Sequence, residues 1–351
     1  MGQFILRRTG VMVLTALCLT FIVFFMTNLY PNLEKLAKTQ GNFRMTDAEV
    51  SSYLERNGYL QPMFVKYGQW LGVLPGWTLN SEDGITGRCV GPTPVPAEIA
   101  AEAPRFCGVL QGDWGQSTVF KEEVGGLVMK RLGNTGYLMM WVLIAMVPTA
   151  LIVGVMAGMR EGSGLDRGLS TFSIMTTATP EYVSGVIFIA VFTSSTVGLK
   201  WFKGTATAAM EQPTFENFFL PVITIALYGM GYIARMTRAS MTEVMTAQYI
   251  RTARLKGVSF HNIVIKHALR NALIAPFTVI MLQFPWLLNG VVIVETLFNY
   301  KGFGWLLVQA AGNNDIELLL AVSVVSVIVV LVTQLISDIG YVYLNPRIRI
   351  S

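Results

Sequence analysis

The chain has 351 residues, of which 53% are hydrophobic and 13% charged, and its formal net charge is +5. That is more apolar surface than a soluble domain of this length hides in one core, so a soluble globular protein is excluded as the natural reading. The positive balance does not point to nucleic acid, because the basic residues are spread over loops and no basic face interleaved with stacking aromatics appears.

A helix needs about 20 mostly apolar residues to cross about 30 Å of hydrocarbon. Taken in chain order, six stretches meet that length: Thr9 to Leu29, Gly136 to Met159, Ser170 to Val197, Phe218 to Met236, Ala272 to Phe298, and Ile316 to Leu344. Helices satisfy every backbone polar group in lipid without a closed barrel, so an all-α bundle surrounded by membrane lipid is expected. The chain then divides into a terminal segment with the first span (1–30), an extramembrane region (31–135), a five-span core (136–344) containing a polar loop (239–271), and a tail (345–351).

The first span is read as retained. Its apolar run is too long for a secretory signal and no small-x-small cleavage site follows it. Leu17 before Cys18 argues against lipoprotein acylation, and Leu6 stands where a myristoylation signal needs Ser or Thr.

Within 31–135, Thr46 to Gly72 has helical spacing, with Thr46 as a cap and Glu49 three residues on. Gly76 to Pro104 is rich in Pro, Gly and Ala. Cys89 and Cys107 bracket this loop-rich part, and a disulfide between them is expected on the oxidising side of a membrane, two free buried thiols being the alternative. Ser117 to Arg131 suggests an amphipathic helix at the interface, weakened by Gly125 and Gly126. Asn313, Asn314 and Asp315 form a cap for the last span.

Short loops set orientation through their Lys and Arg. One side carries thirteen (Arg7, Arg8, Arg160, Arg167, Arg235, Arg238, Arg251, Arg254, Lys256, Lys266, Arg270, Arg347, Arg349) and the other three (Lys200, Lys203, Lys301). Both termini are therefore expected in the cytoplasm of a multi-pass membrane protein, with 31–135 outside.

Polar residues inside spans are costly and mark pathways or partners. Glu181, directly after Pro180, either lines a substrate path or sits near the interface if the span is short or tilted. Glu295 and Asp338 read as structural anchors. Pro148, Pro221, Pro276 and Pro285 kink or begin helices, and Gly154 with Gly158 forms a GxxxG pair suited to close packing. His261 and His267, six apart, do not share a helical face, so no metal site is expected. No phosphate-binding G-x-x-x-x-G-K-[ST] loop and no G-x-S-x-G elbow occurs, so neither nucleotide binding nor acyl chemistry is expected of this chain.

The most informative stretch is Ala234 to Pro276. Thr242 to Lys256 favours helix, Gly257 supplies a left-handed stop, and Asn262 to Leu273 resumes helix toward the next span. Charge alone reads as an ordinary basic loop. The residues say more: YIRTARLKG followed by HALRNAL resembles the cytoplasmic loop signature of ABC importer permeases of the oligopeptide and dipeptide type. ILRR (Ile5 to Arg8), GDWGQS (Gly112 to Ser117), LPVITIALYGMGYIARMTRASM (Leu220 to Met241), VIVETLFNYKGFG (Val292 to Gly304) and NPRIR (Asn345 to Arg349) carry the same resemblance.

The resemblance implies a type I importer fold, with six helices and a large periplasmic insertion between helices 1 and 2. It implies that Tyr249, Arg251, Thr252, Ala253, Arg254, Lys256 and Gly257 form a coupling helix docked on an ATPase subunit. It further implies a second, non-identical permease, two ATPase subunits that hold ATP and Mg, and a periplasmic solute-binding protein, this chain binding no cofactor and catalysing no reaction. Residues 77–107 look inserted between WLGVLPG and GDWGQS, and His267 to Arg270 replace the widespread Ile-x-Leu-Pro ending, in keeping with the peptide branch. Peptide is the expected cargo, an oligosaccharide or other small solute the alternative. An intramembrane enzyme built on Glu181, Asp338 or Glu295 lacks a recognisable catalytic pair, and a passive channel would show flux without ATP.

Overall fold

The computed structural model describes residues 2–81, 83–194 and 199–344. The closing NPRIR, its two arginines and the tail 345–351 lie outside the described residues, as does 195–197, the end of the third expected span. Two compact units are present, one formed by Met1–Arg8, Arg131–Trp305 and Val329–Ser351, the other by Thr9–Lys130 and Leu306–Ile328.

In chain order the helices are α1 (Gly2–Thr27), α2 (Tyr30–Gln40), α3 (Asp47–Arg56), α4 (Met63–Leu71), α5 (Ala97–Glu102), α6 (Val124–Gly158), α7 (Gly164–Ala178), α8 (Glu181–Thr193), α9 (Phe215–Met245), α10 (Gln248–Leu255), α11 (Phe260–Asn262), α12 (Leu269–Ala272), α13 (Ile274–Leu297), α14 (Phe303–Gly312) and α15 (Ile316–Leu344). A π-helical turn, Ile263–Ala268, joins α11 to α12. Among the described residues four helices, in α1, α6, α9 and α15, are long and apolar enough to cross a membrane, or up to six if each of two bent pairs counts as one span.

Three expectations are corrected. The third span is not one helix: α7 and α8 meet at 103°. Pro180 has no N–H to continue the ladder, and its ring drives Thr179 out of the helical region to φ −89°, ψ 121°. The stretch from Ser117 is not a separate amphipathic helix. Gln116 and Glu123 pair as an isolated antiparallel bridge, Lys121 is left-handed at φ 57°, and helix begins only at Val124, despite Gly125 and Gly126.

Nor is the chain wholly helical. Strands β1 (Thr78–Ser81), β2 (Gly84–Gly87) and β3 (Gly91–Val95) form an antiparallel sheet in that order. Thr78 pairs with Gly87 and Ser81 with Gly84, and the β2–β3 register shifts between Ile85 and Gly87. Pro92 and Pro94 are tolerated because β3 is an edge strand, where a missing N–H breaks no central ladder. Cys89 and Cys107 are joined across this region, their Cα atoms 5.5 Å apart.

The smaller unit is organised around Phe24, Leu33, Leu36, Val50, Leu54, Trp70, Ile316 and Leu320, each such side chain contributing roughly 1.5–3 kcal/mol on burial. Local signals set its helix ends. Thr46 Oγ1 accepts from Glu49 N while Glu49 Oε2 accepts from Thr46 N at 2.7 Å, a complete capping box, and α4 stops at left-handed Gly72. The fully buried Asp315 caps α15 by accepting from Leu318 N, and it also accepts from Ser117 Oγ at 2.6 Å and Val119 N.

The larger unit is built on α9. Of its most apolar window 72% is buried, against 11–33% for the other long helices. That cover comes from α6, α7, α8 and α13. Glycines permit the approach. A Cβ at Gly154 would lie 2.5 Å from the Ala234 carbonyl oxygen and one at Gly158 2.7 Å from that of Arg238, while one at Gly231 would lie 2.5 Å from Ser173 O. The GxxxG pair is thus a backbone-to-backbone seam between α6 and α9.

Replacing Gly154 by Leu is expected to force these helices apart and to lower stability by about 3 kcal/mol, the upper end for overpacking. Gly168→Ala, where a Cβ meets nothing within 4 Å, is the neutral control. Thermal unfolding of both variants in detergent checks this.

Candidate functional site

The site is assembled where α9 runs out. Its last turn closes at Met245, Thr246 caps it, and Ala247 turns extended (φ −64°, ψ 148°), so that α10 starts in a new direction after two residues. At its other end Gly257 adopts φ 73°. Gly257 N donates to Arg254 O at 3.0 Å and Val258 N to Ala253 O at 3.2 Å, which uses carbonyls that the helix end would leave orphaned.

Eight residues are too few for a helix to persist alone. Packing holds α10: Ile250, fully buried, and Ala253, 8% exposed, seat against Met241, Ile263, Val264, Ala268 and Ala272. Ala253 is therefore small because its own chain passes beneath it. Asn271 Nδ2 adds a hydrogen bond to the Tyr249 hydroxyl at 2.9 Å.

The other expected residues face outward. Tyr249, Arg251, Thr252, Arg254, Lys256 and Gly257 are all exposed. Leu255, absent from the sequence reading, is 82% exposed. It lies about 170° around the helix from the Ile250–Ala253 face, at 100° per residue, and that phase was readable from the sequence. An apolar side chain ringed by Arg251, Arg254 and Lys256 is the composition of an anchor within a basic rim.

A polar clasp fixes the base of this site. Asp166, 2% exposed, receives the Arg238 guanidinium in two bonds, Nε to Oδ1 at 2.5 Å and Nη2 to Oδ2 at 2.8 Å. Its carboxylate also accepts from Gly162 N and Ser170 Oγ, while Ser163 caps α7 by accepting from Asp166 N. The clasp ties the start of α7 to α9 two turns before α10. Arg238 entered the sequence reading only as one positive charge among thirteen, and Asp166 not at all. The Ser-x-x-Asp spacing was the available signal.

Glu181 is 7% exposed in the first turn of α8, at the bend after Pro180. It has no hydrogen bond among the described residues. Structure does not bring it together with α10. Glu295, fully buried, is engaged throughout: it accepts from Thr135 Oγ1 and Trp305 N, Thr135 Oγ1 in turn accepts from Phe303 N at 2.7 Å, and a Cβ on Gly302 would collide with the carboxylate. That accounts for the glycine in the KGFG run. Asp338 pairs with Arg8 at 3.3 Å, so both acids act as the anchors expected.

A family model described as the inner membrane component of binding-protein-dependent transport systems matches residues 150–350, which contain α7 to α13 and the whole α10 site. This chain belongs to that family. Among curated relatives, this permease component is 30% identical to the oligopeptide transport system permease protein AppB of Bacillus subtilis, over 99% of this chain and 100% of the relative. It is 35% identical to a protein named as a peptide ABC transporter permease in Sinorhizobium fredii, over 69% and 77% of the two chains. A Brucella suis protein named as a peptide permease is 27% identical over 95% of each.

Proposed function

We propose that this chain is a membrane-spanning permease subunit of an ATP-driven peptide importer, and that α10 is the surface through which a separate ATPase drives it. The observation that carries the reading is α10 itself: a short helix seated on its own core by Ile250 and Ala253 while presenting Leu255 and three cations to solvent. Peptide cargo is supported by the names of relatives that match nearly the whole chain.

In this reading each bent pair counts as one of six spans, and both termini and α10 lie in the cytoplasm on the thirteen-to-three bias of Lys and Arg. The 31–135 region, with its Cys89–Cys107 bridge, lies outside. A second, non-identical permease covers apolar faces of the bundle, two ATPase subunits bind ATP and Mg, and a solute-binding protein delivers cargo. ATPase closure displaces α10, and through α9 shifts the bundle between inward-open and outward-open states. Glu181, at the α7–α8 bend, lies beside the path and meets a cationic or hydrogen-bonding group of the cargo.

Proteoliposomes holding the complete assembly are expected to take up a labelled tripeptide only with ATP inside the ATPase compartment and binding protein on the other face. Uptake by this chain alone, or flux without ATP, would sink the proposal.

A further inference from the structure

The smaller unit contains a cleft of about 530 Å³ that the coupling reading does not use. Its volume is within the roughly 300–1,000 Å³ range of small-molecule sites. Trp70 and Trp77 supply apolar walls, and Lys66, Arg88, Asp113 and Glu317 supply charge of both signs.

The charges are incompletely matched within the protein, although Arg88 lies close enough to Glu317 for the two to attract. Arg88 Nε and Glu317 Oε2 are buried with no hydrogen-bond partner among the described residues. Lys66 is 8% exposed, and among the described residues its ammonium donates only to the Tyr59 carbonyl at 2.9 Å and Asn28 Oδ1 at 3.3 Å, both neutral. Burial without a counter-ion pushes the Lys66 pKa below its ordinary value. Buried polar atoms are nearly always partnered, so two orphans and an uncompensated ammonium around one cleft call for a solute that supplies the missing groups. Such a solute needs an anion for Lys66 and Arg88, a cation for Glu317, and an apolar body for the tryptophans.

We propose that this cleft binds a small zwitterion of peptide type, with its carboxylate against Lys66 and Arg88, its ammonium against Glu317, and its side chains on Trp70 and Trp77. The inference rests on the peptide-import reading for the choice of zwitterion, and it adds a cargo station in the extramembrane unit distinct from any path beside Glu181. Cargo released at the membrane would be held there by both of its termini, whatever its side chains.

The test is calorimetric titration of the complete assembly in lipid nanodiscs, without binding protein, using dialanine, N-acetyl-dialanine and dialanine amide. Dialanine is expected to bind saturably and at least tenfold more tightly than either blocked form. The isosteric Glu317→Gln is expected to abolish discrimination against the acetylated form, and Arg88→Gln to reduce discrimination against the amide. Absence of saturable dialanine binding, equal binding of the three probes, or binding unaltered in both variants overturns the assignment. ATP-driven uptake measured on the same preparation keeps the two readings apart. Uptake without this binding removes only the cleft, whereas binding without uptake removes only the import reading.

Discussion

Replacing Leu255 by Asp and Arg254 by Glu is expected to reduce ATP-driven uptake at least a hundredfold while leaving the fold intact. Both side chains are exposed, Leu255 opposite the seated face of α10 and Arg254 flanking it at about 70°, and exposed substitutions away from special features usually change stability by about 0.5 kcal/mol or less. An apolar anchor inside a charged rim, by contrast, contributes about 2 kcal/mol or more to association, roughly thirtyfold in affinity. Reversing a cation beside it adds like-charge repulsion with the complementary partner surface. The ATPase should dissociate from the variant at unchanged thermal stability, as read by co-purification alongside unfolding in detergent. Wild-type uptake by the double variant would remove α10 as the docking surface. Ala253→Trp makes the contrasting case: it overfills the seat beneath α10, so it should lower stability before it affects docking.

Loss of Arg238 is expected to be the most destabilising single change in the larger unit. Arg238→Ala strands the Asp166 carboxylate at 2% exposure with only Gly162 N and Ser170 Oγ as donors. Removing one partner of a buried pair costs about 3–5 kcal/mol, chiefly for the charge left behind. Asp166→Ala should cost less, because Arg238 is a third exposed along its side chain and turns to water. Arg238→Ala and Asp166→Ala combined should then be milder than Arg238→Ala alone, a coupling that a double-mutant cycle measures directly. Strictly additive effects would show the clasp to be an incidental surface pair.

How much of this was legible beforehand depended on the range of the interaction involved. Thr46 with Glu49 and Gly257 as a helix stop were readable because each is settled within a few residues by backbone chemistry. Five of the six apolar stretches correspond to helices for the same reason. The break at Thr179–Pro180 was overlooked because hydropathy counts composition and is blind to a missing N–H. The small sheet escaped notice because Gly84, Gly87, Gly91, Pro92 and Pro94 read as loop. At the site, the exposed cations were evident from charge. The inward turn of Ala253 and the clasp from Arg238 to Asp166, 72 positions away, depend on packing that no local window contains.

Between α9 and α10 stand only Thr246 and Ala247. Whatever displaces the short helix is delivered almost at once to a rod of 31 residues, about 46 Å long at 1.5 Å per residue. That rod is clamped on one flank at Gly154 and Gly158 and on another by Ser173 against Gly231. Hydrogen-bonded along its length except at Pro221, it cannot shorten, and from Ser173 to the seam with α6 its backbone already touches its neighbours and has little room to bow. The remaining freedom is to roll about its own axis or pivot at the glycine contacts, so a small thrust at one end re-emerges as an angular change at the other.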